Sequence, residues 1–232
     1  MYKRVLLKLS GEALSGEKGF GLDLETTRQA ARQVKAAHEM GIEIAIVIGG
    51  GNWWRGRSSE GIDRVKADQI GMLATVMNCL YVSEVFRTEG MDTQVFVPYP
   101  IGLYAEVFSK DKALKAMKEG KVVFFAGGTG HPFFSTDMAT ALRAAETECD
   151  AVLMAKSIDG VYDSDPGKNP NAKRYDEMKY QEIIDKQLGV IDLASAILLR
   201  DAGIPAELFA LAEKESIIRV IRGESIGTTI KA

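Results

Sequence analysis

Ile42-Glu43-Ile44-Ala45-Ile46-Val47-Ile48-Gly49-Gly50-Gly51-Asn52-Trp53-Trp54-Arg55-Gly56-Arg57 is the stretch that decides the fold. It opens with a nearly continuous apolar run rich in β-branched residues. Such runs form strands covered on both faces, which is the condition of a parallel sheet. Three glycines come directly after it. Gly-Gly-Gly is entropically costly directly after a buried strand, which favours a ligand over a merely flexible loop. Without side chains the backbone can approach a ligand closely, and its N–H groups can form an anion nest. Arg55 or Arg57 adds a charged fork suited to phosphate. The segment is neither a P-loop nor a G-x-G-x-x-G dinucleotide fingerprint.

Working outward, the pattern repeats. Strands are predicted at Val5–Leu9, Ile42–Ile48, Gln94–Val97, Val122–Phe125, Ala151–Met154 and Glu207–Phe209. Helices are predicted at Leu24–Met40, Arg64–Thr88, Lys112–Lys118, Thr136–Thr147, Tyr180–Lys186, Ile191–Asp201 and Lys214–Ile221. Alternation of this kind implies βαβ units, right-handed crossovers and an α/β fold with a mainly parallel sheet. No clean domain boundary shows, so one domain over 1–232 is expected. The polar, turn-rich stretch Asp163–Asp176 reads as a linker or a mobile lid.

In sheets of this class ligands bind beyond the carboxyl ends of the strands, so the residues just past each strand are the candidates. Lys8-Leu9-Ser10-Gly11-Glu12 offers a cation beside a Ser-Gly turn, although a solvated strand-end lysine is the plainer reading of that piece alone. Ala126-Gly127-Gly128-Thr129-Gly130-His131-Pro132-Phe133-Phe134-Ser135-Thr136-Asp137 combines a second glycine loop, two aromatics and a helix start that Thr136 or Asp137 would cap. Lys156-Ser157-Ile158-Asp159-Gly160-Val161-Tyr162-Asp163-Ser164-Asp165-Pro166 places a lysine at a strand end and an aromatic among carboxylates. Turn-forming Asx chemistry is the alternative for Asp163 and Asp165. Each loop is a weak signal; together the four point to one phosphate-rich crevice.

Composition agrees. The 232 residues are 46% apolar and 26% charged, with net charge −3 and pI about 5.6, so a basic nucleic-acid surface is not indicated. Cys79 and Cys149 sit in helical stretches without metal or redox spacing and read as small buried hydrophobes. His38 reads as a surface residue. The N-terminus lacks a signal-peptide pattern and no apolar run reaches membrane-spanning length, so a cytoplasmic protein with no membrane partner is expected.

On these segments the chain resembles the bacterial uridylate kinases of the amino acid kinase family. The likeness is carried by Lys8-Leu-Ser-Gly-Glu-Ala-Leu14, Gly49-Gly-Gly-Asn52, Arg55-Gly56, Gly71-Met-Leu-Ala-Thr-Val-Met-Asn78, Thr129-Gly-His-Pro-Phe-Phe-Ser-Thr-Asp137 and Asp159-Gly-Val-Tyr162 with Asp165-Pro166. It implies a three-layer αβα amino acid kinase (carbamate kinase-like) fold. It also implies that Lys8, Leu9, Ser10, Gly11, Gly51, Arg55, Lys156, Tyr162 and Asp165 hold ATP, with Lys8 the main transition-state cation. Gly50, Asp68 and the run Thr129, Gly130, His131, Pro132, Phe133, Phe134, Ser135 and Thr136 would hold UMP. Gly16, Glu17, Lys18, Gly19, Phe20 and Gly21 match the segment linked to GTP activation. Inhibition by UTP and a homohexamer are further implications. His131 stands where Asn is usual, Trp53-Trp54 replaces a milder pair, and Lys156 replaces a Thr or Asn.

The chemistry suits these residue types. A UMP phosphate oxygen is already a nucleophile, so no general base is needed and transfer depends on positioning and charge neutralisation. Mg²⁺ would ride on the ATP phosphates. No dedicated metal ligands are expected. Asp137, and with it Asp192, would act as lysine-orienting or outer-sphere groups. The rival readings are a kinase of the same fold acting on a carboxylate or carbamate, against which the aromatic Thr129–Asp137 segment argues, and a non-catalytic nucleotide sensor.

Overall fold

A computed structural model of the chain describes residues 2–55 and 60–232. Its spine is a nine-stranded sheet. The strands are β1 (Arg4–Leu9), β2 (Glu43–Ile48), β3 (Thr93–Val97), β4 (Glu106–Val107), β5 (Val122–Phe125), β6 (Ala151–Lys156), β9 (Glu177–Lys179), β10 (Ala206–Ala210) and β11 (Thr228–Lys231); a separate antiparallel pair joins β7 (Val161–Tyr162) to β8 (Arg174–Tyr175). The order is β4-β3-β5-β2-β1-β6-β10-β11-β9. All contacts from β4 to β10 are parallel, and the direction reverses once, between β10 and β11.

Helices cover both faces. Strand alternation sends Val5, Leu7 and Leu9 to one side, where they pack with α2 (Leu24–Glu39), α3 (Arg64–Thr88) and α8 (Ser216–Ile221). Leu6 and the side chains of its face meet α4 (Lys110–Lys118), α5 (Thr136–Glu146), α6 (Tyr180–Asp185) and α7 (Leu193–Ala202). The result is three layers with a core on each side of the sheet. Each fully buried Leu, Ile or Phe in them contributes roughly 1.5–3 kcal/mol. Cys79 and Cys149 lie inside these cores. Burial pushes their thiols up to about 12 and about 11, which removes the thiolate that redox chemistry needs.

Every predicted strand and helix is present, with ends moved by a residue or two. Other expectations need correcting. Ser10-Gly11 is not a simple turn: Ser10 caps a one-turn helix, α1 (Gly11–Leu14), its Oγ accepting from Ala13 N at 3.4 Å. The short strands β4, β7, β8, β9 and β11 were not anticipated. His38 is half-buried, its Nδ1 3.4 Å from Ile42 O. Asp163–Asp176 is not a linker but an excursion closed by β7 and β8. Within it Asp163 Oδ1 accepts from Lys173 N at 3.0 Å and Asp165 Oδ1 from Gly167 N at 2.9 Å. The Asp165 bond, two residues on, is an Asx turn, whereas the Asp163 bond, ten residues on, closes the base of the excursion.

By length and composition α3, with 25 residues, is apolar enough to cross a membrane, yet half of its most apolar window is buried in the protein, as in a core helix. At the reversal, Gly227 packs against β10, where an added Cβ would lie 1.9 Å from Leu208 O and 3.1 Å from Asp159 O. Gly227→Ala is expected to lower stability by about 3 kcal/mol through this overpacking. An unchanged denaturation midpoint would show that the β10–β11 junction yields instead.

Candidate active site

Sheet order brings the four loops together. β5, β2, β1 and β6 are consecutive neighbours, so the segments after them emerge side by side at one edge. Between β1 and β6 the chain changes direction across the sheet, which is where sheets of this kind open a crevice. The crevice here has a volume of about 460 Å³ and is lined by Lys8, Ser10, Gly11, Gly49–Gly51, Arg55, Thr136, Lys156 and Ser157 among others.

Its floor is electrostatic. Lys8 shares its face of β1 with Leu6 and so points toward α5. There its Nζ lies 2.9 Å from Asp137 Oδ1. Lys156, at the end of β6, leaves the sheet on the same side, and its Nζ is 3.7 Å from Asp137 Oδ2. That ammonium also donates to Val190 O. Asp137 therefore sits between two lysines. Burial alone would raise its carboxyl, but the Lys8 and Lys156 charges and the Asp192 amide, 3.3 Å from Oδ2, outweigh it and hold the group at about 2. Burial pushes the Lys156 ammonium below the usual lysine range, with Asp137 pulling it back up.

The helix start is built differently from the expectation. Neither Thr136 nor Asp137 caps α5; Ser135 does, its Oγ accepting from Met138 N at 3.1 Å. That leaves the Asp137 carboxylate to meet the lysines. Asp192 is the cap of α7, its Oδ1 accepting from Ser195 N and Ser195 Oγ at 3.2 Å. It reaches Asp137 by its backbone amide.

Gly11 is required by close packing. A Cβ there would stand 2.3 Å from both Asn52 Oδ1 and Gly49 O. Leu9 brings no side chain to the crevice, because it is fully buried in the α2-side core. Arg55 forms an ion pair with Glu12 at the crevice mouth. Gly56 and Arg57 lie outside the described residues.

The Thr129–Ser135 segment stands beside this floor. Thr129, His131 and Phe134 line a hollow of about 380 Å³ with Pro98 and Met138. Phe133 and Phe134 are not core residues; they are 63% and 53% exposed. Phe133 has φ 70°. Its N–H donates to Asp68 Oδ2 at 2.8 Å, and Asp68 is also bound by Arg64 Nε at 2.9 Å. Tyr162 and Asp165 do not line the crevice, and Tyr162 donates its hydroxyl hydrogen to Asp159 Oδ1 at 2.8 Å. Of the Gly16–Gly21 segment, Gly16 and Glu17 line a second cavity of about 770 Å³, which shares Glu12, Lys156 and Ser157 with the crevice and extends between α2 and Leu211–Glu215. Residues 211–215 carry no glycine cluster of the kind that marks the other loops, and the sequence pattern gives them only the start of a helix at Lys214. They come directly after β10, so the strand-end rule applied there would have found them.

Three residues of α3 anchor these loops. Besides Asp68, Thr75 Oγ1 accepts from Gly127 N at 2.8 Å, and Asn78 Nδ2 donates to Gly49 O at 2.7 Å. Spacings of seven and three put all three on one helix face.

A cationic floor, two amide-rich glycine loops and an exposed aromatic wall can hold a polyphosphate and a base. Among the described residues no group of three or more His, Cys, Asp or Glu side chains could hold a metal. The nearest carboxylates, Asp137 and Glu12, are already paired with cations. A divalent cation carried on a ligand's phosphates would need no such cage.

Known proteins point the same way. The sequence profile of the amino acid kinase family matches residues 3–210. UMP kinase from Bacillus anthracis superposes with a TM-score of 0.95 at 38% identity, covering 99% of this chain and 96% of its own. UMP kinase from Ureaplasma parvum gives 0.94 at 31%, with both chains covered completely. Uridylate kinase from Archaeoglobus fulgidus gives 0.75 at 26%, covering 97% and 99%. With its profile match spanning most of its length and its fold shared end to end with these enzymes, the chain belongs to the amino acid kinase family, in its bacterial uridylate kinase branch.

Proposed function

We propose that the protein transfers the γ-phosphoryl group of ATP to UMP, giving ADP and UDP, in pyrimidine nucleotide biosynthesis. The observation that carries this reading is the Lys8–Asp137–Lys156 cluster at the floor of a crevice formed by the loops after four adjacent strands. Lys8, held by Asp137, neutralises charge on the transferring group. The amides of Gly11 and Gly50–Gly51 receive phosphate oxygens, while the Ser10 amide is tied to Ala155 O at 3.1 Å. Lys156 adds the second cation that a Thr or Asn would not. The nucleophile is a UMP phosphate oxygen, so the protein's task is in-line placement of the two substrates. Asp68 and Thr129–Thr136 hold UMP, with Phe133 and Phe134 as the wall for its base. Arg55, Tyr162 and Asp165 belong to the ATP side. Mg²⁺ bound to ATP lowers the charge repulsion between the two phosphate chains.

The same reading assigns Gly16–Gly21 to activation by GTP, makes UTP an inhibitor, and takes 1–232 as a single domain of a cytoplasmic homohexamer. The proximity of Gly16 and Glu17 to the crevice supports a regulatory link.

The test is ADP release with ATP and Mg²⁺, offering UMP, CMP, acetylglutamate, aspartate and carbamate in parallel. Turnover is expected with UMP. Turnover with an acid instead would keep the fold and overturn the substrate. Nucleotide binding with no turnover on any acceptor would make the protein a sensor.

A further inference from the structure

Asn52 and Asn78 are buried polar residues, 2% and 0% exposed, that make no contact of their own with the proposed reacting groups. Their carboxamides face each other. Asn78 Nδ2 donates to Asn52 Oδ1 at 2.7 Å, and Asn52 Nδ2 returns a bond to Asn78 Oδ1 at 3.1 Å. The remaining amide hydrogens go to backbone carbonyls: Asn78 to Gly49 O and Asn52 to Gly21 O, each at 2.7 Å. Trp53 Nε1 adds a bond to Asn78 Oδ1 at 2.6 Å. All four carboxamide N–H groups thus have acceptors, so the pair has one orientation and no alternative flip satisfies it.

The pair ties together three segments at the crevice. Gly49 begins the phosphate-facing glycine loop. Gly11, which leaves no room for a Cβ against Asn52 Oδ1, opens α1 just past Lys8. Gly21 closes the Gly16–Gly21 segment, with its N–H on Asn52 O at 3.2 Å and the neighbouring Phe20 edge-on to Trp53 at 5.1 Å. A loop of three glycines has no side chains with which to fix itself. Apolar residues would fill the same space without fixing the direction of a carbonyl, whereas a fully satisfied buried polar network specifies one arrangement.

We propose that the Asn52–Asn78 carboxamide pair is a positioning device for phosphoryl transfer: it sets the Gly49–Gly51 loop against the Lys8–Gly11 segment and links both to the Gly16–Gly21 segment. This rests on the crevice being the site of transfer. Neither asparagine touches the reacting atoms; each acts through Gly49 and Gly11. A loop displaced by about 1 Å still holds substrate phosphates but no longer matches the transition state, so the loss falls on kcat.

The experiment measures kcat, both KM values and thermal stability for Asn78→Asp and Trp53→Phe with ATP and UMP. Asn78→Asp keeps the side-chain shape and removes both N–H donors. Its kcat is expected to fall about a hundredfold, with both KM values within about threefold of wild type. Trp53→Phe removes the donor to Asn78 Oδ1 together with part of the ring that meets Phe20, and its kcat is expected to fall about fivefold with KM unchanged. If Asn78→Asp does not fold, Trp53→Phe decides alone. Wild-type kcat in Trp53→Phe, or a loss in Asn78→Asp confined to stability or KM, would reduce the pair to a structural filler. A wild-type protein that fails to phosphorylate UMP would instead remove the reading beneath this one.

Discussion

Lys8→Ala is expected to lower kcat by about a thousandfold while leaving the KM for UMP within about threefold of wild type. The reason is where charge develops. As the phosphoryl group leaves ADP, negative charge accumulates on its oxygens and on the leaving oxygen. A cation fixed in advance stabilises that state without reorganising. Lys8 is fixed in advance, since β1 aims it and Asp137 holds Nζ at 2.9 Å. UMP in its ground state is held by other residues, so its binding is spared. Steady-state kinetics on purified variant decide the matter. A kcat within about tenfold of wild type would take Lys8 out of the reaction.

Asp137→Asn is the second large effect, and it is expected in stability as well as rate. Removing one partner of a buried charge cluster costs about 3–5 kcal/mol, because the remaining charges are left uncompensated. Here two lysines lose their shared carboxylate. The wild-type cluster also has a definite pH window. The Asp137 carboxyl lies at about 2 when folded, against 3.8 unfolded. A depressed carboxylate contributes stability above its unfolded value and loses it as pH falls through its folded one. Wild type is therefore expected to lose about 2 kcal/mol between about pH 5 and pH 2 that Asp137→Asn does not lose. Denaturant titrations of both proteins at the two pH values measure the difference. Equal losses would mean that the carboxylate is not stabilised by the lysines. Activity of Asp137→Asn is expected to fall by more than about tenfold, since Lys8 loses its orienting partner.

Much of this was legible in the sequence, for identifiable reasons. Apolar runs such as Ile42–Ile48 are long enough to announce buried strands, and glycine clusters at their ends announce close backbone approach. The strands that escaped notice are short. β4, β7 and β8 have two residues each, and their pairing is set by tertiary neighbours rather than by any local pattern. β11 lies where the sheet reverses, and its Thr228-Thr229-Ile230-Lys231 carries no run to distinguish it from a tail. At the site, Lys8 and Asp137 stand out by their strand-end and helix-start positions. The cap of α5 does not, because Ser135, Thr136 and Asp137 are all competent caps and only backbone geometry chooses among them. Lys156 looks like a departure from pattern. Its pairing with Asp137 depends on β1 and β6 being adjacent, which no local reading supplies. Nor do the roles of Thr75 and Asn78 emerge from periodicity, since both read as ordinary members of an apolar helix.

The face of α3 that carries Asp68, Thr75 and Asn78 turns a single stiff rod into the common mount of two otherwise independent loops, the one after β5 held at Gly127 and Phe133 and the one after β2 held at Gly49. A helix of this length spans roughly 37 Å and moves as one body, so any shift along its axis displaces both substrate subsites in step. Errors in the loops themselves are private to one substrate; errors in the mount are shared. Substitutions within the Thr129–Ser135 loop should therefore change the KM for UMP alone, and substitutions that tilt α3 should change both KM values together. That correlation across a panel of variants would distinguish a mechanically joined pair of sites from two sites that merely lie side by side.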